Sequence, residues 1–201
     1  MVRFLYGATL FFLLFSANAH AESHTYAPEN CDFTITFPEK PYVEKKCSGE
    51  KDCAEVVTFT KVLDIGSSVN FRVTCISLAE KELAKYTPEV MKTTLGEMLK
   101  QTNLEAYNID AEEKDGYKRA GSVSLGKRND QDILHTGQLW VGKKSLFTME
   151  GEMLGASSDK LNQLFADILK TVQVKSGGAV KKESKDSKTS PKEPAPAAAQ
   201  P

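Results

Sequence analysis

The chain has 201 residues, 26 of them basic and 27 acidic, with 40% hydrophobic residues and four cysteines. This length suits one domain with a sizeable core. The charges nearly cancel and leave no clustered basic field for phosphates, so nucleic acid is not expected as a partner.

The first residues read "MVRFLYGATLFFLLFSANAHAES". Arg3 supplies a positive start, Phe4 to Phe15 is a nearly unbroken apolar run, and small residues follow at the cleavage positions. These are the marks of a secretory signal peptide, residues 1–21, cleaved after Ala19 or Ala21. The run is about a dozen residues, short of the roughly 20 that span a bilayer, so no integral membrane span is expected after cleavage. A periplasmic or secreted location follows, with residues 22–30 as a flexible mature N-terminus that includes His24.

Secretion bears on the cysteines. Cys31, Cys47, Cys53 and Cys75 are separated by 15, 5 and 21 residues. A zinc knuckle needs closer pairs, and a thioredoxin-like site needs Cys-x-x-Cys, so an even count in an oxidising compartment reads as two disulfides. In "CDFTITF", Cys31 shares one face of an alternating strand with Phe33, Ile35 and Phe37. In "VNFRVTC", Cys75 shares a face with Val69, Phe71 and Val73. Both ride apolar faces, which favours Cys31 with Cys75 and leaves Cys47 and Cys53 to clip the turn "SGEKD". The alternative, Cys31 with Cys47 and Cys53 with Cys75, suits two successive hairpins and stays open.

Further along, "AEVVTFTKVL" and "SVNFRVTCISL" flank "DIGS", a hairpin signal. Thr87 and Pro88 form a helix start, followed by Met91, Leu95, Met98 and Leu99 on one face up to about Gln101. Four more alternating segments, "EAYNIDAEE", "KRAGSVSLGK", "DILHTGQLWVG" and "KSLFTMEGEML", are separated by short polar turns. A second helix starts at Ser157 or Ser158 and carries Leu161, Leu164, Phe165, Ile168, Leu169 and Val172 at helical spacing. From Ser176 the chain is rich in Lys, Pro and Ala and lacks aromatic residues, so residues 176–201 read as a disordered tail. Strands and helices mixed without regular alternation indicate an α+β fold over residues 31–175. It is a mainly antiparallel sheet with two principal helices packed on it.

The order of elements carries a resemblance. "FTITFPEKP", a hairpin, "TPEVMKTTL", strands with glycine turns, "LFTMEGEM" and a closing "LNQLFADILKTVQV" resemble the Mog1/PsbP-like α/β/α sandwich, especially its small secreted bacterial members. The resemblance covers residues 31–175. It implies a binding or assembly factor without shared catalytic machinery, and it transfers no site residue.

Chemistry is sparse in the residues themselves. His135 is the sole histidine inside the expected fold, and no Gly-x-Ser-x-Gly elbow accompanies it, so it reads as structural. Glu105, Asp110, Glu112, Glu113 and Asp115 gather around a hairpin but lack the spacing of a calcium loop. "GSVSLGKRND" lacks the phosphate-binding pattern. Trp140, the sole tryptophan, is the candidate partner contact, with core packing as the plainer role. No catalytic residue, cofactor or metal is assigned. The expectation is a disulfide-stabilised, non-enzymatic accessory or binding protein of the bacterial envelope, acting on another envelope protein. The alternatives are a hydrolase or a small-ligand carrier whose site leaves no sequence signature.

Overall fold

The structure is a computed structural model that describes residues 22–175, except 48, 50–52, 101, 103 and 115. The expected signal peptide and the expected disordered tail lie outside the described residues. In chain order the strands are β1 (His24–Tyr26), β2 (Phe33–Phe37), β3 (Tyr42–Cys47), β4 (Cys53–Asp64) and β5 (Ser67–Ser77). Then come α1 (Glu80–Leu83), α2 (Pro88–Lys100), β6 (Glu105–Lys114), β7 (Tyr117–Arg128), β8 (Gln131–Val141), β9 (Ser145–Leu154), α3 (Asp159–Lys170) and β10 (Gln173–Val174).

Seven strands form one antiparallel sheet in the order β3-β4-β5-β9-β8-β7-β6, and three form a smaller one, β1-β2-β10. The fold is therefore α+β, with neighbouring strands antiparallel throughout both sheets. The turn joining β7 and β8 places Asn129 and Asp130 at φ of 51° and 63°. Two left-handed residues in succession match the right-handed strand twist, and Asn and Asp tolerate that conformation.

Caps fix both long helices. Ser158 accepts a hydrogen bond from the Leu161 amide at 3.3 Å, and Asp159 and Lys170 complement the dipole of α3 at its two ends. Thr87 Oγ1 accepts from the Val90 amide at 3.3 Å, immediately before Pro88 at the first position of α2.

The large sheet has a core on each face. On one, Phe33, Ile35 and Phe37 of β2 meet Val57, Phe59, Val69, Phe71, Val73, Phe147 and Met149, with Leu161, Phe165 and Ile168 of α3 closing the layer. Fully burying one such side chain is worth about 1.5–3 kcal/mol. On the other, Met91, Leu95 and Leu99 of α2 lie over the β6–β8 half, where Ala120, Leu139 and Val141 are buried. Two glycines let the helices approach. A Cβ on Gly151 would lie 2.7 Å from the ring of Phe71, which stacks on Phe165 at 5.1 Å. A Cβ on Gly137 would lie 3.2 Å from Leu95.

Residues 22–30 differ from the expected flexible arm. β1 pairs with β2, and Tyr26 is buried in the first core. A three-residue strand has too short a period to register as a pattern, and its partner lies downstream. α1 is likewise a single turn, too short to show a helical period.

Candidate functional site

Because α3 packs mainly against β2, β5 and β9 and α2 mainly against β6, β7 and β8, each helix leaves half of its face of the large sheet without helical cover. On the α2 side the uncovered half, β4-β5-β9, carries Thr58, Thr60, Asn70, Arg72, Thr74, Thr148, Glu150 and Glu152 at its outward positions. Several of these groups are engaged with neighbours. Thr74 and Thr148 share a hydroxyl hydrogen bond, Thr60 donates to Asn70 Oδ1 at 3.0 Å, and Arg128 pairs with Glu152 at 2.8 Å.

On the α3 side the uncovered half is β7-β6. Val123 is 37% exposed and Leu125 is 50% exposed, both on the face whose continuation through β8 and β9 is core. Beside them runs an open groove of about 460 Å³, walled by Leu169, Lys170 and Val172 on one side and by Asp110 and Arg119 on the other. Gly121 keeps it open, having no side chain between Asp110 and Gln138, which face it on the neighbouring strands. Trp140 lines the groove yet is only 7% exposed. Tyr117 stacks on it at 5.4 Å, the Arg119 guanidinium lies 5.0 Å from its ring centre, and its indole N–H donates to Gln138 Oε1 at 2.9 Å. Trp140 therefore packs and orients Arg119 and Gln138; it does not protrude.

The structure brings the cysteines together in pairs, Cys31 with Cys75 and Cys47 with Cys53. Cys31 is buried in the first core, and Cys47 stands opposite Cys53 in the β3–β4 register. Cys53 and Cys75 also line one cleft of about 640 Å³, together with Tyr26, Glu29 and Glu55. Tyr26 donates to Glu55 Oε2 at 3.3 Å. Burial, reinforced by the Glu55 charge, pushes the phenol up to about 12.

His135 occupies a row that the sequence did not disclose. Ser124, His135 and Glu152 stand opposite one another across β7, β8 and β9. A hydroxyl, an imidazole and a carboxylate in one row are the parts of a hydrolytic relay. Yet Ser124 is fully buried, and neither Ser124 Oγ nor His135 Nδ1 has a hydrogen-bond partner among the described residues. In this arrangement the hydroxyl cannot meet a substrate. Burial holds the His135 imidazole below its usual pKa, outweighing the opposing pull of the Glu150 and Glu152 carboxylates. His24 lies in β1. Glu105, Asp110, Glu112 and Glu113 are spread along β6, Asp115 is outside the described residues, and no cluster able to hold a metal ion occurs among the described residues. Register, which brings Ser124 and Glu152 to His135, and the packing of the small sheet against the large one, which brings Tyr26 to Glu55, are what sequence reading lacked.

No protein-family model and no curated protein sequence matches the chain. Among solved structures it is similar to cyanobacterial PsbP (CyanoP) from Synechocystis, with 13% identity, 79% of this chain and 95% of that one covered, and a TM-score of 0.49. It is also similar to LpqN of Mycobacterium tuberculosis, described as involved in cell envelope biogenesis. There the identity is 11%, the coverage 77% of this chain and 83% of the other, and the TM-score 0.38. A protein from Bacteroides thetaiotaomicron matches with 11% identity over 77% of this chain and 49% of its own, at a TM-score of 0.39.

Proposed function

We propose that the chain is an exported, periplasmic or secreted, non-enzymatic accessory protein that binds another envelope protein. In this reading residues 1–21 are removed as a signal peptide, residues 31–175 form one domain to which β1 adds an edge strand, and the lysine-rich tail is solvated. Two disulfides support an oxidising compartment. Among the described residues no helix is long and apolar enough to cross a membrane.

The observation that carries the reading is the uncovered apolar half of the α3-side face. Val123 and Leu125 adjoin the groove walled by Leu169 and Val172, and contiguous exposed apolar surface next to polar groups is the mark of a protein contact. Glu112 is paired with Lys114 and Arg119, whereas Glu105 and Asp110 have no ion partner among the described residues. The occupant is therefore a partner segment that presents apolar side chains.

The test is co-purification of the tagged mature protein from envelope extract, with Leu125→Asp and Thr60→Asp compared side by side. One stoichiometric partner, lost with Leu125→Asp and kept with Thr60→Asp, is the expected result. Recovery of the free monomer alone, or equal capture by both variants, would overturn the proposal.

A further inference from the structure

A second recess of the surface lies at the opposite edge of the sheet from β6 and β7. It is the cleft of about 640 Å³ between the N-terminal segment and the ends of β4 and β5, a size typical of ligand sites. Its walls are unusually fixed. Cys75 is bonded to Cys31 in the core and Cys53 to Cys47 across the β3–β4 pair, so both disulfides brace the same opening. Rigid walls lower the entropy lost on binding.

The lining has one sign. Glu29 and Glu55 contribute carboxylates, and among the described residues no lysine, arginine or histidine lines the cleft. Glu55 has no ion pair among the described residues: Lys45 stands opposite it in the β3–β4 register without pairing with it. Lys144 and Lys175 reach the N-terminal segment that walls the cleft, donating to the backbone carbonyls of Glu29 and Pro28, and the Glu29 carboxylate acts on Lys175, so Glu55 is the main acceptor. The Tyr26 hydroxyl, on a ring that is 7% exposed, holds one oxygen of Glu55 in place. Pro28, Ile76 and Leu78 supply an apolar wall beside these polar groups. A charged acceptor at the end of an apolar slot fits a cation carried on a flexible hydrocarbon stem, because the stem is buried while the charge is hydrogen-bonded.

We propose that this cleft binds an alkylammonium or guanidinium group on an aliphatic stem, with Glu55 as the acceptor and Tyr26 as the residue that positions it. The site is separate from the β6–β7 surface, so either proposal can fail without the other.

The full oxidised chain is titrated with N-acetyl-lysine N′-methylamide, with 1,5-diaminopentane and with the uncharged N-acetyl-norleucine N′-methylamide, following backbone amide resonances. Saturable shifts at Tyr26, Glu55 and Ile76 with the two cations, and none with norleucine, are expected. Tighter binding of the lysine amide assigns the ligand to a polypeptide side chain, and tighter binding of the diamine assigns it to a free polyamine. Glu55→Gln should weaken binding about tenfold or more, as loss of a charged hydrogen bond does. Tyr26→Phe should weaken it less while leaving Glu55 charged. The double variant Cys47→Ser, Cys53→Ser should still fold and bind more weakly. Absence of shifts with either cation, equal shifts with norleucine, or undiminished binding by Glu55→Gln would overturn the proposal.

Discussion

The two uncovered halves of the large sheet differ in what lies on them. Beside α2, the open positions are threonine, asparagine, arginine and glutamate, five of which (Thr60, Asn70, Thr74, Thr148 and Glu152) are engaged in hydrogen bonds or an ion pair. Beside α3, they include Val123 and Leu125, which stay partly exposed among the described residues. An antiparallel sheet can present one face to water when its outward positions are polar. The first half is thus complete as it stands, and the second gains from being covered, by about 1 kcal/mol for the exposed half of a leucine. The same sheet, left open twice by the offset of its helices, is a solvent face on one side and a docking face on the other.

The contrast depends on the helices holding their places, and removing that hold has the largest expected effect. Leu95→Ala under α2 and Phe165→Ala under α3 should each cost about 2–5 kcal/mol in chemical denaturation, since both are buried against the sheet. A loss below about 1 kcal/mol for either would mean that the helix is not what closes its half.

Reduction comes next. Cys31–Cys75 spans 44 residues and Cys47–Cys53 spans 6, so loop closure assigns about 4 and about 2 kcal/mol respectively. Removing each pair separately and comparing unfolding midpoints checks the order. A clip that matters more than the long bridge would show that loop entropy is not the governing quantity.

His135 sharpens the α2-side margin. Its imidazole titrates lower in the folded protein than in the unfolded chain, so the unfolded state takes up the proton first. This contribution is fully present above pH of about 6.5, falls as the pH drops through that value, and levels off below the folded-state pKa. The denaturation midpoint should decline from pH 8 to pH 5, less steeply in His135→Gln. A midpoint that rises on acidification, or an identical slope in the variant, contradicts the assignment. The smallest effects belong to the open halves themselves. Leu125→Thr and Thr60→Val should each change stability by no more than about 0.5 kcal/mol. The first should weaken partner capture and the second should not.

Much of this fold is visible in one dimension. Alternation places Phe33, Ile35 and Phe37 on one face of β2 and Val69, Phe71 and Val73 on one face of β5. The helical stripes of α2 and α3 and their caps at Thr87 and Ser158 are equally plain. Strand parity puts Cys31 and Cys75 on apolar faces, where the structure bonds them. β1 was not legible, because three residues cannot establish a period. The role of Trp140 was ambiguous, because alternation cannot say whether Tyr117 and Arg119 will close over its ring.

The types of the longer elements, the turns between them and the polar or apolar character of their faces were written in the sequence, because these depend on residues a few positions apart along one backbone. Only the tertiary structure decided which half of each sheet face a helix would cover, that Ser124 and Glu152 would flank His135, and that two disulfides would brace one cleft. Those outcomes depend on strand order, register and sheet packing, which are set by the joint burial of residues far apart along the chain and leave no local pattern to read.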